Sequence, residues 1–172
     1  VRVDPGQSIA LSSRGDLTVE GLLQARGGSI SLLGPVTELA GSKIANGGIA
    51  ADGRASARRI LVGEQATLDA SAEVHTGYDI QGQPFGLVPR GGSIVIGGEL
   101  LESTSRATAS DAFVVIREGA VIDASGAQAP LNVNGAGVKT VVSDGGRIQI
   151  ASSSGLYLDG SLRAHAGGAG AA

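Results

Sequence analysis

The sequence predicts an all-β fold, a right-handed parallel β-helix (β-solenoid) with loop or hairpin insertions. Three observations point there: short runs alternating apolar and polar residues, glycine pairs between those runs, and a repeat that keeps register over long distances. The 172 residues include 29 Gly, two Phe and two Tyr, and no Cys, Met or Trp. A compact globule fills its centre with large aromatic and aliphatic anchors. Here Ala, Val, Ile and Leu carry most of a 42% hydrophobic content, which suits thin layers stacked regularly.

The repeat is legible from the start of the chain. Ser8-Ile9-Ala10-Leu11 recurs as Ser29-Ile30-Ser31-Leu32, a step of 21 (29 − 8). LLQARGG at 22–28 matches KIANGG at 43–48, with Leu22 and Ile44 a step of 22 (44 − 22) apart. ILVGEQATLDASA at 60–72 matches VVIREGAVIDASG at 114–126, and their Asp69 and Asp123 stand 54 positions (123 − 69) apart. The next glycine pairs, GGSIVI from Gly91 and GGRIQI from Gly145, keep the same offset, and GGSISL at 27–32 is a third copy. LTVEGLLQARGG at 17–28 pairs in the same way with LYLDGSLRAHAG at 156–167. The basic unit is therefore about 20 residues, and the longer unit reads as two coils plus an insertion.

Physically, SIVI, RIQI, LTVEG and LYLDG are strands with one buried face: Ile, Val and Leu point in, while Ser, Arg, Gln, Thr and Asp point out. Gly-Gly and Asp-Gly allow the positive φ of sharp corners. No single coil buries its apolar face alone, so stacking at roughly 4.8 Å supplies the core. About six coils would make a rod of about 30 Å. The usual handedness of parallel crossovers makes the coil right-handed. Residues 73–90 and 127–144 interrupt the pattern and are expected to project as loops or hairpins. Residues 53–59 and 102–111 are expected to be connectors, either able to hold a short helical turn.

The motifs GGSISL, GGSIVI, GGRIQI, GEQATLDASA and REGAVIDASG resemble the filamentous haemagglutinin family of exoproteins, over most of the chain, from Gln7 to Gly168. That resemblance implies a very long right-handed β-helix exported from Gram-negative bacteria by two-partner secretion and acting as an adhesin. Related proteins form the stalks of contact-dependent inhibition toxins. The Asn-rich motifs of the family's secretion domain are missing here, which places the chain in the body of such a protein. The chain, 1–172, is then one solenoid segment of a longer protein, secreted or on the bacterial cell surface. Its implied partners are a host-cell receptor or glycan, or another bacterial surface, with an outer-membrane transporter during export.

Charge narrows the classes further. A net charge of −3 disfavours nucleic acid or an acidic membrane as partner. No apolar run approaches the roughly 18 residues of a membrane span, and no basic-then-apolar leader precedes Val1. Without cysteine, disulfide logic leaves the redox compartment open.

Few residues carry candidate chemistry. Arg14-Gly15-Asp16 spells an integrin-type tripeptide between SIALS and LTVEG, against which stands the ease with which tripeptides arise by chance. His75, Tyr78 and Phe85, in the first insertion, are the candidate receptor or glycan contact; the plainer account of His75 is an exposed polar loop, since a metal needs three or four ligands. His165, in a Gly-Ala tail, is expected to be solvated. Asp69 and Asp123 resemble the acidic pairs of pectin-cleaving β-helix enzymes, but with two coils between them each is better explained as capping its own Asp-Ala-Ser corner. Arg54, Arg58 and Arg59 form a basic cluster that could meet sulfated glycans or simply solvate a connector. Neither a catalytic constellation nor a cofactor or metal motif emerges, and the Gly-rich end at 167–172 lacks the Asp of a calcium repeat. The expected role is a non-catalytic structural and adhesive shaft. A glycan-binding module using the insertions, or a carbohydrate-active β-helix enzyme, is the alternative.

Overall fold

The computed structural model describes residues 1–34, 36–39, 58–98, 100–101 and 106–171, and these are all β. The chain makes four passes through the same three strand positions. The first pass is β1 (Ser8–Ser12), β2 (Leu17–Val19) and β3 (Leu22–Gln24), and the second is β4 (Ser29–Leu33), β6 (Arg59–Val62) and β7 (Thr67–Asp69). The third is β10 (Ser93–Ile96), β13 (Phe113–Ile116) and β14 (Val121–Asp123), and the fourth is β17 (Arg147–Ile150), β18 (Gly155–Leu158) and β19 (Ser161–Arg163). Corresponding strands pair in parallel and in sequence order, giving the sheets β1-β4-β10-β17, β2-β6-β13-β18 and β3-β7-β14-β19.

Register follows the sequence repeat residue by residue. Ile9, Ile30, Ile94 and Ile148 stack on one another, as do Leu23, Leu68, Ile122 and Leu162. Period-2 alternation sends these side chains into a single column between the three sheets, where Ile30, Ile60, Leu68, Ile94, Val114, Ile116 and Ile122 are fully buried. Each buried Ile, Leu or Val contributes roughly 1.5–3 kcal/mol, and slippage by one residue would turn a whole strand's apolar set outward. At the corners leading into β4, β10 and β17 the passes approach closely. A Cβ on Gly28 would overlap the carbonyl of Gln7, one on Gly92 that of Gly28, and one on Gly146 that of Gly92. Those overlaps explain the repeated Gly-Gly, because no side chain fits between successive turns there.

Three readings of the sequence need correction. The unit that runs from Asp69 to Asp123 is one pass: the two residues are direct partners on adjacent strands, and the extra length leaves the stack sideways. Apart from excursions, the passes number four. Leu22 pairs with Thr67, not with the region of Ile44, which lies outside the described residues. The periodicity was read along the chain as if every residue advanced the stack, and excursions break that assumption.

The excursions are antiparallel. β8 (His75–Tyr78) and β9 (Pro84–Leu87) form a hairpin after β7, and β15 (Gln128–Val133) and β16 (Gly137–Val142) form one after β14. A third antiparallel sheet, ordered β11-β12-β5, joins β5 (Val36–Leu39), β11 (Leu100–Leu101) and β12 (Arg106–Ser110). The described part of 102–111 is thus a strand, where a connector with a possible helical turn was expected; the polar RATAS run alternates and finds a partner in β5. Of 53–59, only Arg58 and Arg59 are described, and Arg59 opens β6.

The two ends of the stack differ. At the first pass, residues before β1 fold back along β3: the Val3 amide donates to the Gln24 carbonyl (3.0 Å), the Gln24 amide to Val1 (2.9 Å), and the terminal ammonium to Leu22 (2.7 Å). Ile9, Val19 and Leu23 are consequently only 6% exposed. At the fourth pass Leu156, Leu158 and Leu162 are 47%, 46% and 45% exposed, although their partners one pass below, Val114, Ile116 and Ile122, are fully buried.

Candidate interaction surface

The candidate residues fall at two different corners of the three-sided cross-section. Arg14, Gly15 and Asp16 lie exposed at the turn from β1 to β2. The Ser13 hydroxyl shapes that turn, donating to the Asp16 carbonyl (3.2 Å) and accepting from the Gly15 amide (3.1 Å). The Asp16 carboxylate is already engaged: it accepts from the Arg59 amide (3.1 Å) and meets Arg59 Nε at 3.0 Å. An integrin-type contact needs that carboxylate for itself, so it would have to displace a neighbour on the next pass.

Polar links of this kind climb the same corner. Arg58 Nη1 meets Asp111 Oδ2 at 3.0 Å, and Ser154 donates to Asp111 Oδ1 at 3.0 Å. The basic cluster seen in the sequence is thereby divided: Arg58 and Arg59 tie successive passes together, and Arg54 lies outside the described residues. Such partly exposed pairs add little stability each.

His75, Tyr78 and Phe85 lie together on the β8–β9 hairpin, at the corner between the third sheet and the first. Register explains what each presents. His75 pairs with Leu87 and Gly77 with Phe85, so alternation puts His75, Phe85 and Leu87 on one face and Tyr78 with Pro84 on the other. The Phe85 ring covers Gly77 closely enough that a Cβ there would touch its Cζ at 3.0 Å. Asp79 closes the hairpin by accepting from the amides of Gln81 (2.9 Å) and Gln83 (2.8 Å), which leaves Ile80 at the tip 98% exposed. His75, Thr76, Phe85 and Leu87 edge an open groove of about 590 Å³. β9 lies beside β15, whose Ala129 and Leu131 are buried, so the two hairpins form one lateral lobe. Ile80 and Leu87 join the surface unforeseen; the alternation of PFGL was the available signal for Leu87, and nothing in the sequence marked Ile80 as the tip.

The acidic pair also needs correction. Asp69 and Asp123 are adjacent, and the spacing argument against an enzyme therefore fails. What occupies their carboxylates is local. Asp69 Oδ1 accepts from the Ser71 hydroxyl (2.6 Å) and amide (3.1 Å), while Oδ2 accepts from Gln24 (2.7 Å) and Arg26 (3.3 Å). Asp123 Oδ1 accepts from the Ser125 amide (2.8 Å), the same clasp one pass higher. Burial pushes the Asp69 carboxyl up, but the hydrogen bonds from Ser71, Gln24 and Arg26 outweigh it and hold the group below its usual value. His165 is exposed as expected, yet its Nδ1 lies 3.1 Å from the Ser125 hydroxyl.

Among the described residues no three His, Cys, Asp or Glu gather as metal ligands, and no helix is long and apolar enough to cross a membrane. Comparison with protein-family models, with curated proteins and with solved structures yields no match.

Proposed function

We propose that this chain is a non-catalytic shaft segment of a large secreted bacterial surface adhesin, similar to the filamentous haemagglutinin exoproteins. In this reading the three parallel sheets are the walls of a right-handed β-helix, and the hairpins are lateral decorations on it. The supporting observation is the stacking itself: four passes repeat one cross-section in register, with like residues superposed and no side chains left over to build an enclosed site. Such an arrangement supplies length and display, and its stability comes from nearest-neighbour interfaces. The Asp69 and Asp123 clasps serve the corners of that wall.

A second reading is favoured by the exposed Phe85, Tyr78 and Leu87 around the open groove: a glycan-binding module whose affinity resides in the lobe. One experiment separates the two. The intact chain, and a variant with 73–90 replaced by a short turn, are applied to host cells and to immobilised polysaccharides. A plain shaft predicts equal, background retention for both. Binding by the intact chain that the replacement abolishes would establish the module. Sugar cleavage lost on Asp69→Asn or Asp123→Asn would overturn both readings in favour of an enzyme.

A further inference from the structure

The end of the stack at β17, β18 and β19 is built like every internal boundary between passes but carries nothing above it. Ile148, Ile150, Leu156, Leu158 and Leu162 are aligned with residues that are fully buried one pass below. The chain does not cover them after β19: the Gly167 amide donates to the Ser143 carbonyl (2.8 Å), so residues beyond 166 run against the flank of the second hairpin. Three unpaired strand edges around an apolar plate are a template for further pairing.

We propose that the occupant is a second copy of this chain, joined through the same end to make a closed two-fold dimer. The other end of a second copy is a poor mate, because residues 1–3 already occupy the edge of β3 and shield Ile9, Val19 and Leu23. A two-fold axis through β17 sets β17 antiparallel to its mate, β18 against the mate's β19, and β19 against the mate's β18. This continues the internal boundary with the same class of residue on both sides. It also matches charge. Asp159, following β18, accepts only a 3.3 Å bond from Tyr157, and Arg163 on β19 makes no ion pair among the described residues. The axis brings Asp159 of each copy to the β19 edge that carries Arg163 of the other. An axis through β18 would instead set the edge bearing Arg147 against the edge bearing Arg163, placing like charges together. An isologous contact of this kind closes on itself and stops at two.

The test uses the whole chain in sedimentation equilibrium over a concentration series. The expected result is a monomer–dimer equilibrium with no larger species. Arg163→Glu, an exposed change that should leave the circular dichroism unaltered, weakens the dimer about 10-fold or more, and adding Asp159→Arg restores it. Because the chain has no cysteine, Gln149→Cys near the middle of β17 reports the axis directly, by forming a disulfide-linked dimer on mild oxidation. A monomer at every concentration overturns the proposal. So does an open series of oligomers, which would mean head-to-tail addition, and so does a dimer indifferent to the charge exchange.

Discussion

The first and fourth passes present the same cross-section and differ in what lies beyond them. Beyond the first, three residues folded against β3 are enough to reduce the exposure of Ile9, Val19 and Leu23 to 6%. Beyond the fourth, leucines in equivalent positions stay almost half exposed. Burial in this molecule is thus a property of having a neighbour on both sides, more than of residue type or strand. A short β-segment supplies that neighbour as effectively as a full pass does at the positions it reaches.

The largest expected effect compares like substitutions at the two ends. Leu23→Ala, at the shielded end, should destabilise by about 2–4 kcal/mol, and Leu162→Ala by about 1 kcal/mol, in urea titrations of the monomer. Equal costs would mean that the shield does not function as a partial pass. Removing residues 1–3 attacks the comparison itself. It should cost about 1–2 kcal/mol and let the amides of β3 exchange with solvent at rates like those of β19, read by hydrogen exchange.

A smaller effect separates the interior clasp from the ends. Since the Asp69 carboxyl is held below its unfolded value, its contribution is fully present above about pH 3.9 and is lost as pH falls through the lowered folded value. Asp69→Asn should therefore cost about 1 kcal/mol at neutral pH and flatten the acid limb of the stability curve. A variant whose acid limb overlays that of the parent would remove Asp69 from the account. The smallest effect belongs to the exposed corner. Asp16→Ala breaks the pair with Arg59 and should change stability by about 0.5 kcal/mol or less, so a shift in melting temperature beyond a few degrees would contradict it.

Much of this architecture was legible before any coordinates. GGSISL, GGSIVI and GGRIQI do superpose in one sheet, and LTVEG and LYLDG lie in one column at opposite ends. They are legible because stacking demands the same apolar alternation and the same bare corner at each pass, so the physical constraint is written out repeatedly. Excursions obey no such constraint. Their residues pair antiparallel with whatever lies alongside, and that is why β5 and β12 went unrecognised and why the Asp69–Asp123 interval was read as two coils. For the candidate surface, aromatic content pointed to the β8–β9 hairpin, whereas the engagement of Asp16 by Arg59 depended on a partner 43 residues away that the sequence does not single out.

The hydrogen bonds between passes all lie along the stacking direction, since each strand runs across it. Under compression or sideways load, every sheet resists as a whole. Under tension applied at the first and last passes, the bonds at one boundary carry the force almost in line, and the boundary with least apolar cover gives way before the others. The fourth pass, covered on one side only, is therefore the mechanical fuse of the molecule: it peels away at the lowest force while the passes below stay closed.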